Sequence, residues 1–172
     1  KDNQEFTILL VGNPNHRFKS FKDALKVLEL VWNRGHRFKV KWVCQSMPAY
    51  QGPFPIEYIV NPPQSGLVSH YQEADLFLYT SWYEGFGLPP LEAMACGLPV
   101  VTTDCGGVRE YVLDQYNCLF AEPGDLYGLA TSVIQLMEKP EKRSSLSENA
   151  RRTAEKFSYT KVISQWEDFM KE

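Results

Sequence analysis

Short, uninterrupted apolar runs, each closed by a glycine or a polar turn, constrain this chain more than any other feature. Phe6-Thr7-Ile8-Leu9-Leu10-Val11 stops at Gly12, and Leu76-Phe77-Leu78-Tyr79 and Leu98-Pro99-Val100-Val101-Thr102-Thr103 are built alike. Such runs are strands buried on both faces, the habit of parallel sheets with helices on either side. Phe38-Lys39-Val40-Lys41-Trp42-Val43-Cys44 alternates at first and turns apolar at its end. Ile56-Glu57-Tyr58-Ile59-Val60 and Asn117-Cys118-Leu119-Phe120 complete the candidate strands.

Between the strands the period changes to that of a helix. Phe21, Ala24, Leu25, Leu28, Val31 and Trp32 predict a helix over 21–34, with Ser20 as its N-cap and Gly35 as its stop. Leu67, Val68, Tyr71 and Ala74 predict a short one. Leu126, Leu129, Ala130, Val133, Ile134 and Met137 predict another behind an Asp125 cap. Pro140 ends that run, a further helix covers roughly 141–156, and 159–171 places Val162, Ile163, Trp166, Phe169 and Met170 on one side. Strand, helix, strand within about forty residues is a βαβ unit with parallel strands. The whole reads as an α/β, Rossmann-like doubly wound parallel sheet with helices on both faces.

The 172 residues suit one domain with a substantial core. A net charge of −3 argues against a general nucleic-acid binder, which needs a basic surface, but leaves room for a local cationic pocket. Cys44, Cys96, Cys105 and Cys118 are widely spaced with no CxxC pair, so they read as buried free thiols of a reducing compartment. No signal-peptide pattern or long apolar run suggests a membrane span. The chain reaches its first strand immediately after Lys1-Asp2-Asn3-Gln4-Glu5, as a piece of a longer protein would.

One stretch carries the chemistry. Tyr79-Thr80-Ser81-Trp82-Tyr83-Glu84-Gly85-Phe86-Gly87-Leu88-Pro89-Pro90-Leu91-Glu92-Ala93-Met94 reads as a strand end, a glycine loop and a helix opening at a proline pair. Gly85 and Gly87 let backbone pass close to a ligand, and the helix N-terminus offers N–H groups to an anion. Glu84 lies in the loop and Glu92 in the expected first helical turn. Two more loops follow strand ends: Gly12-Asn13-Pro14-Asn15-His16-Arg17-Phe18-Lys19-Ser20, and Asp104-Cys105-Gly106-Gly107. In a parallel sheet these ends share one edge, so the loops can converge on a crevice. Lys19 and Arg17 could supply charge to phosphates, Gly85–Leu88 and Gly106–Gly107 backbone donors, and Glu92 a grip on vicinal hydroxyls. A nucleoside diphosphate attached to a sugar has that shape of demand.

The run Glu84-Gly85-Phe86-Gly87-Leu88-Pro89-Pro90-Leu91-Glu92-Ala93-Met94-Ala95-Cys96-Gly97-Leu98-Pro99-Val100-Val101 resembles the E-x7-E region of group 1 (family 4) glycosyltransferases. Val11-Gly12 with Lys19, Tyr71-Gln72-Glu73-Ala74-Asp75-Leu76-Phe77 and Gly106-Gly107-Val108-Arg109-Glu110 resemble that family's other signatures in the same order. The resemblance implies a retaining transferase of two-domain GT-B architecture, with this chain as its C-terminal, donor-binding half. Residues 1–157 would bind the nucleotide sugar, and 158–172 would form a helix crossing back to the missing N-terminal acceptor domain. By the same resemblance Glu84 would touch donor-sugar hydroxyls, Gly85-Phe86-Gly87-Leu88 would line sugar and diphosphate, Glu92 would hold the ribose and Lys19 the diphosphate. Lys19 and Glu84 would be the catalytic pair. No metal or other cofactor is expected, and no DxD-like cluster is offered. The partners implied are the nucleotide-sugar donor and the acceptor domain, in a cytoplasmic protein, with peripheral association at the membrane's cytoplasmic face through the full-length protein.

The chain departs from the family at two places. Asn13 stands where the family places Arg, and Arg17 is the candidate to replace that charge. The turn after the second strand is Cys44-Gln45-Ser46-Met47 where the family has glycines. Asn13 supports an alternative, a non-catalytic nucleotide-sugar-binding module or partner subunit; retention of both Glu84 and Glu92 speaks against it. A nucleotide-sugar epimerase of the same architecture fits the two glutamates poorly. His16, His36 and His70 read as surface or packing residues, and Asp104 and Glu110 as turn residues.

Overall fold

The computed structural model describes residues 5–170. Six strands form one sheet: β1 (Thr7–Val11), β2 (Lys39–Cys44), β3 (Ile56–Val60), β4 (Leu76–Tyr79), β5 (Val100–Thr103) and β6 (Leu119–Ala121). Their order is β3-β2-β1-β4-β5-β6, and every pairing is parallel. The chain winds outward from β1 to β3, returns to lay β4 beside β1, and winds outward the other way. The direction therefore reverses between β1 and β4, and the helices that follow those two strands lie on opposite faces of the sheet.

Two apolar cores sandwich the sheet because consecutive strand side chains point to opposite faces. Ile8, Leu10, Val40, Trp42, Leu76 and Leu78 face α1 (Phe21–Asn33) and α4 (Leu126–Glu138). Leu9, Val43, Phe77, Tyr79 and Val100 face α2 (Leu67–Glu73), α3 (Leu88–Ala95) and α5 (Pro140–Ala154). The doubly wound architecture expected from the apolar runs is thus the observed one.

Helix starts differ from expectation at two points, each for a backbone reason. Ser20 precedes α1 but adopts a left-handed conformation (φ 43°, ψ 49°) and makes no side-chain cap. Its carbonyl receives the Asp23 N–H at 2.8 Å, while its hydroxyl donates to Asp23 Oδ2 at 2.7 Å. Gly87, at φ +81°, turns the chain early, so α3 begins at Leu88 and the prolines take its second and third positions. Glu92 then falls in the second turn, not the first. Asp125 does cap α4, accepting from the Gly128 N–H at 2.9 Å. The segment after Gly106 is a single 3-10 turn over Gly107–Glu110. A last helix, α6 (Tyr159–Phe169), exposes Tyr159, Ile163, Trp166 and Phe169; residues 171 and 172 of the expected C-terminal segment lie outside the described residues.

Lys41 is the one charged side chain drawn into the described core, 8% exposed, and its Nζ meets Glu73 Oε2 at 2.6 Å. Removing the partner strands an ammonium in an apolar site, whereas replacing the lysine with an apolar chain does not. Thermal unfolding is expected to place Lys41→Met at or above the parent and Glu73→Ala clearly below it; the reverse order would assign the pair a purely favourable role.

Candidate active site at the strand switch point

Lys19 leaves the β1 loop and Glu84 the β4 loop, and they meet across the reversal point with Nζ 3.1 Å from Oε1. The Tyr79 hydroxyl, at the end of β4, donates to the same Oε1 at 2.6 Å and accepts from Lys19 Nζ at 3.2 Å. Ser81 Oγ donates to Oε1 as well, at 2.9 Å. The Glu84 backbone is equally tied: its N–H donates to Cys105 O at 2.9 Å, and its carbonyl accepts from Gly107 N–H at 3.0 Å. Among the described residues only Oε2 is left without a partner. Burial alone would push this carboxyl up, but the Tyr79 hydroxyl, the Lys19 ammonium and Ser81 outweigh it and hold it below the ordinary carboxylate value. Glu84 is therefore an ionised acceptor with one oxygen facing outward.

The loop that follows is rich in uncommitted donors. None of the N–H groups of Gly85, Phe86, Gly87 and Leu88 donates to a described residue. They lead into α3, whose Pro89 and Pro90 carry no N–H, so the available donors cluster at the helix start. The Phe86 ring does not line the crevice; it packs against Tyr111 and Phe157, with centroids 5.4 and 6.0 Å away. That anchor leaves its backbone for the site. Gly107 passes so close beneath that a Cβ there would lie 2.3 Å from the Gly85 carbonyl oxygen.

Glu92 stands on the next turn of α3, where its Oε2 accepts from the Tyr71 hydroxyl of α2 at 2.8 Å. Asn13 is engaged locally, its Oδ1 accepting from the Asn15 N–H at 2.9 Å, a turn of the type short amide side chains favour. Arg17 lines a separate groove with Phe18, Ser20, Asp23, Trp82 and Tyr83. The turn after β2 helps to form a cavity of about 160 Å³ with Val11, Val43, Cys44, Gln45, Asn61 and Leu67, beside the same sheet edge. Asp104 holds Arg109 in a two-pronged pair at 2.7 Å and Glu110 is exposed, consistent with turn roles. All four cysteines are free thiols, three of them buried; burial pushes Cys105 up to about 11 and Cys118 up to about 12, so neither is a nucleophile at neutral pH. Among the described residues no three His, Cys, Asp or Glu side chains converge as metal ligands would.

Tyr79, Ser81 and Tyr71 were missed in reading the sequence. The available signal was weak: a tyrosine and a serine near Glu84 at the end of a buried strand, and a tyrosine at the one buried position of a short, mostly polar helix.

A parallel sheet reversing at β1/β4, with a carboxylate and an anion-ready loop at that reversal, defines a ligand-binding α/β domain. The family described as glycosyl transferases group 1 matches residues 49–153, and the chain belongs to that family. It is 40% identical over 95 residues to the N-acetyl-alpha-D-glucosaminyl L-malate synthase of Bacillus anthracis, covering 55% of this chain and 25% of that protein. It is 32% identical over 157 residues to the poly(glycerol-phosphate) alpha-glucosyltransferase of Bacillus subtilis (strain 168), covering 88% of this chain and 23% of that one. The chain spans about a quarter of the length of such curated relatives. Among solved structures, Anabaena HepE in complex with UDP-glucose superposes with a TM-score of 0.82 at 19% identity over 98% of this chain and 49% of that chain. A sucrose-phosphate synthase from Thermosynechococcus elongatus gives 0.82 at 22% identity over 98% and 45%. These likenesses establish the GT-B glycosyltransferase fold. No helix of the described residues is long and apolar enough to cross a membrane.

Two measurements probe the site's construction. Gly107→Ala is expected to displace the Gly85–Phe86 backbone and destabilise the protein by about 2 kcal/mol or more, because a rigid main chain stands in the way; a melting temperature equal to the parent's would refute the close approach. Because the folded Glu84 carboxyl titrates below its unfolded value of 4.5, its contribution is complete above that pH and fades as pH falls through the folded value. The stability gap between the parent and Glu84→Gln is therefore expected at about 1–2 kcal/mol near neutrality, shrinking below pH 4.5 in denaturant titrations.

Proposed function

We propose that this chain is the donor-binding half of a retaining glycosyltransferase that moves a sugar from a nucleotide-diphosphate sugar to an acceptor. The observation that carries this reading is the pairing of Glu84, with one ionised oxygen facing outward, to four successive uncommitted N–H groups at Gly85–Leu88. Glu84 Oε2 accepts from donor-sugar hydroxyls. The N–H groups and Lys19 take the diphosphate, and Glu92 the ribose hydroxyls. The cavity bounded by Val11, Val43, Gln45 and Leu67 receives the base.

In the reaction the bond from the sugar's anomeric carbon to the phosphate oxygen breaks with its electron pair leaving on the diphosphate, while an acceptor hydroxyl oxygen bonds to that carbon from the same face and its proton passes to the departing phosphate oxygen. Prearranged N–H donors and the Lys19 ammonium stabilise that developing charge. Lys19 exchanges Glu84 for phosphate as the donor arrives, while Tyr79 and Ser81 keep the carboxylate aimed. A Glu84 held ionised acts here as a hydroxyl acceptor, not as a proton donor. No metal ion or cofactor is required by this scheme. The exposed apolar side of α6 docks on an N-terminal acceptor domain, residues 1–157 being the binding unit and 158–172 the crossing helix. The full-length protein works in the cytoplasm, peripherally at the membrane face.

Asn13 favours a second reading, a non-catalytic binding module, because its amide is committed to the loop where the family carries a cation. Calorimetry with UDP, GDP and ADP, then with their sugar conjugates, separates the two. At least one diphosphate is expected to bind the 172-residue chain, with Lys19→Ala weakening it about tenfold or more. Glu84→Ala is expected to keep diphosphate binding and lose the preference for the sugar conjugate. Binding of none of the three would favour a non-catalytic partner subunit, and robust sugar transfer by this chain alone would contradict its role as half a site.

A further inference from the structure

The loops after β1 and β4 also form a groove of about 500 Å³, walled by Arg17, Phe18, Ser20, Asp23, Trp82 and Tyr83. That volume is in the range of small-molecule sites. Its aromatic rings are exposed to an unusual degree: Phe18 by 56%, Trp82 by 52% and Tyr83 by 67%. Trp82 is nevertheless held rigidly. Its backbone N–H donates to Phe18 O at 2.8 Å, its indole N–H to Asp23 Oδ2 at 2.8 Å, and its ring edge lies so near Gly124 that a Cβ there would sit 3.2 Å away. Asp23 is itself fixed by the Ser20 hydroxyl at 2.7 Å. An aromatic surface oriented in advance loses little freedom on binding.

The polar groups of the groove are as telling. Arg17 makes no hydrogen bond or ion pair with a described residue, and both of Asp23's described side-chain bonds fall on Oδ2, leaving Oδ1 without a partner. A guanidinium and a carboxylate that share a groove without pairing offer a donor fork and an acceptor. A pyranose asks for that combination: an apolar C–H face to lie on an aromatic ring, and hydroxyls around its rim that both donate and accept. A phosphate would satisfy Arg17 but would meet the Asp23 carboxylate.

We propose that this groove is a saccharide-binding subsite for a neutral pyranose unit of a glycan, stacked on Trp82 and Tyr83, with its hydroxyls on Arg17 and Asp23. Arg17 is two residues before Lys19 and Trp82 two before Glu84, so the occupant lies next to the donor crevice. If the transfer reading above holds, it is a sugar of the acceptor; the binding itself does not depend on that reading.

The test is an NMR titration of the ¹⁵N-labelled 172-residue chain with maltotriose, cellotriose and mannotriose at millimolar concentration, with UDP, GDP and ADP titrated separately. Trp82→Phe identifies the indole resonance. At least one trisaccharide is expected to shift the Trp82 indole N–H and the Phe18 and Tyr83 amides, in the presence or absence of UDP. Affinity is expected to fall about fivefold or more in Tyr83→Ala and in Arg17→Ala, two exposed substitutions that leave the Trp82 anchors in place. The subsite is overturned if no trisaccharide moves those resonances, if UDP abolishes the shifts, or if both variants bind like the parent. UDP, GDP and ADP are each read at Gly12 and at Gly85–Leu88; absence of those shifts with all three, with persisting trisaccharide shifts, would remove the donor reading and leave the groove standing.

Discussion

Glu84 is the point through which the site hangs together. Its N–H, its carbonyl and one carboxylate oxygen are all engaged, by the β5 loop on one side and by Lys19, Tyr79 and Ser81 on the other. A half-buried carboxylate needs several donors to stay ionised, and three converge on a single oxygen. The loops after β1, β4 and β5 thereby meet at one residue, the first through its side chain and the last through its backbone.

The fold makes that convergence possible by reversing its winding between β1 and β4. The helices that follow β1 and β4 lie on opposite faces of the sheet, so the loops leading to them meet at the strand edge while the rest of the sheet is packed on both faces. The stability of the domain comes from the two apolar cores. The crevice, in contrast, keeps unpaired N–H groups, left-handed glycines and an exposed carboxylate oxygen, features that cost stability and are retained where a ligand completes them. The same two loops turn aromatic rings and an unpaired arginine outward, so a single piece of construction presents different chemistry on its two sides.

Much of the fold was legible in the sequence because its signals are local. An unbroken apolar run such as Leu76–Tyr79 has only one comfortable environment, between two helical layers, and the helical period of α1 and α4 supplies those layers. Boundaries were less legible where backbone conformation overrode side-chain preference: Ser20 looks like a cap but sits left-handed, and Gly87 starts α3 earlier than the proline pair suggests. The acids and Lys19 could be nominated from their motif. Their supports could not, since nothing within a few residues of Tyr79 or Tyr71 indicates which carboxylate each hydroxyl will reach.

Composition and periodicity were sufficient to specify a doubly wound parallel sheet and to mark the loops at its carboxyl edge, because burial and helical spacing act over a few residues at a time. Which polar groups pair across those loops was set by strand order. Glu84 lies 65 residues from Lys19 in the chain, and Arg17 only two, yet the ammonium meets the carboxylate and the guanidinium turns to another groove. Distances of that kind belong to the way β4 is laid against β1, and they appear only once the chain has closed on itself.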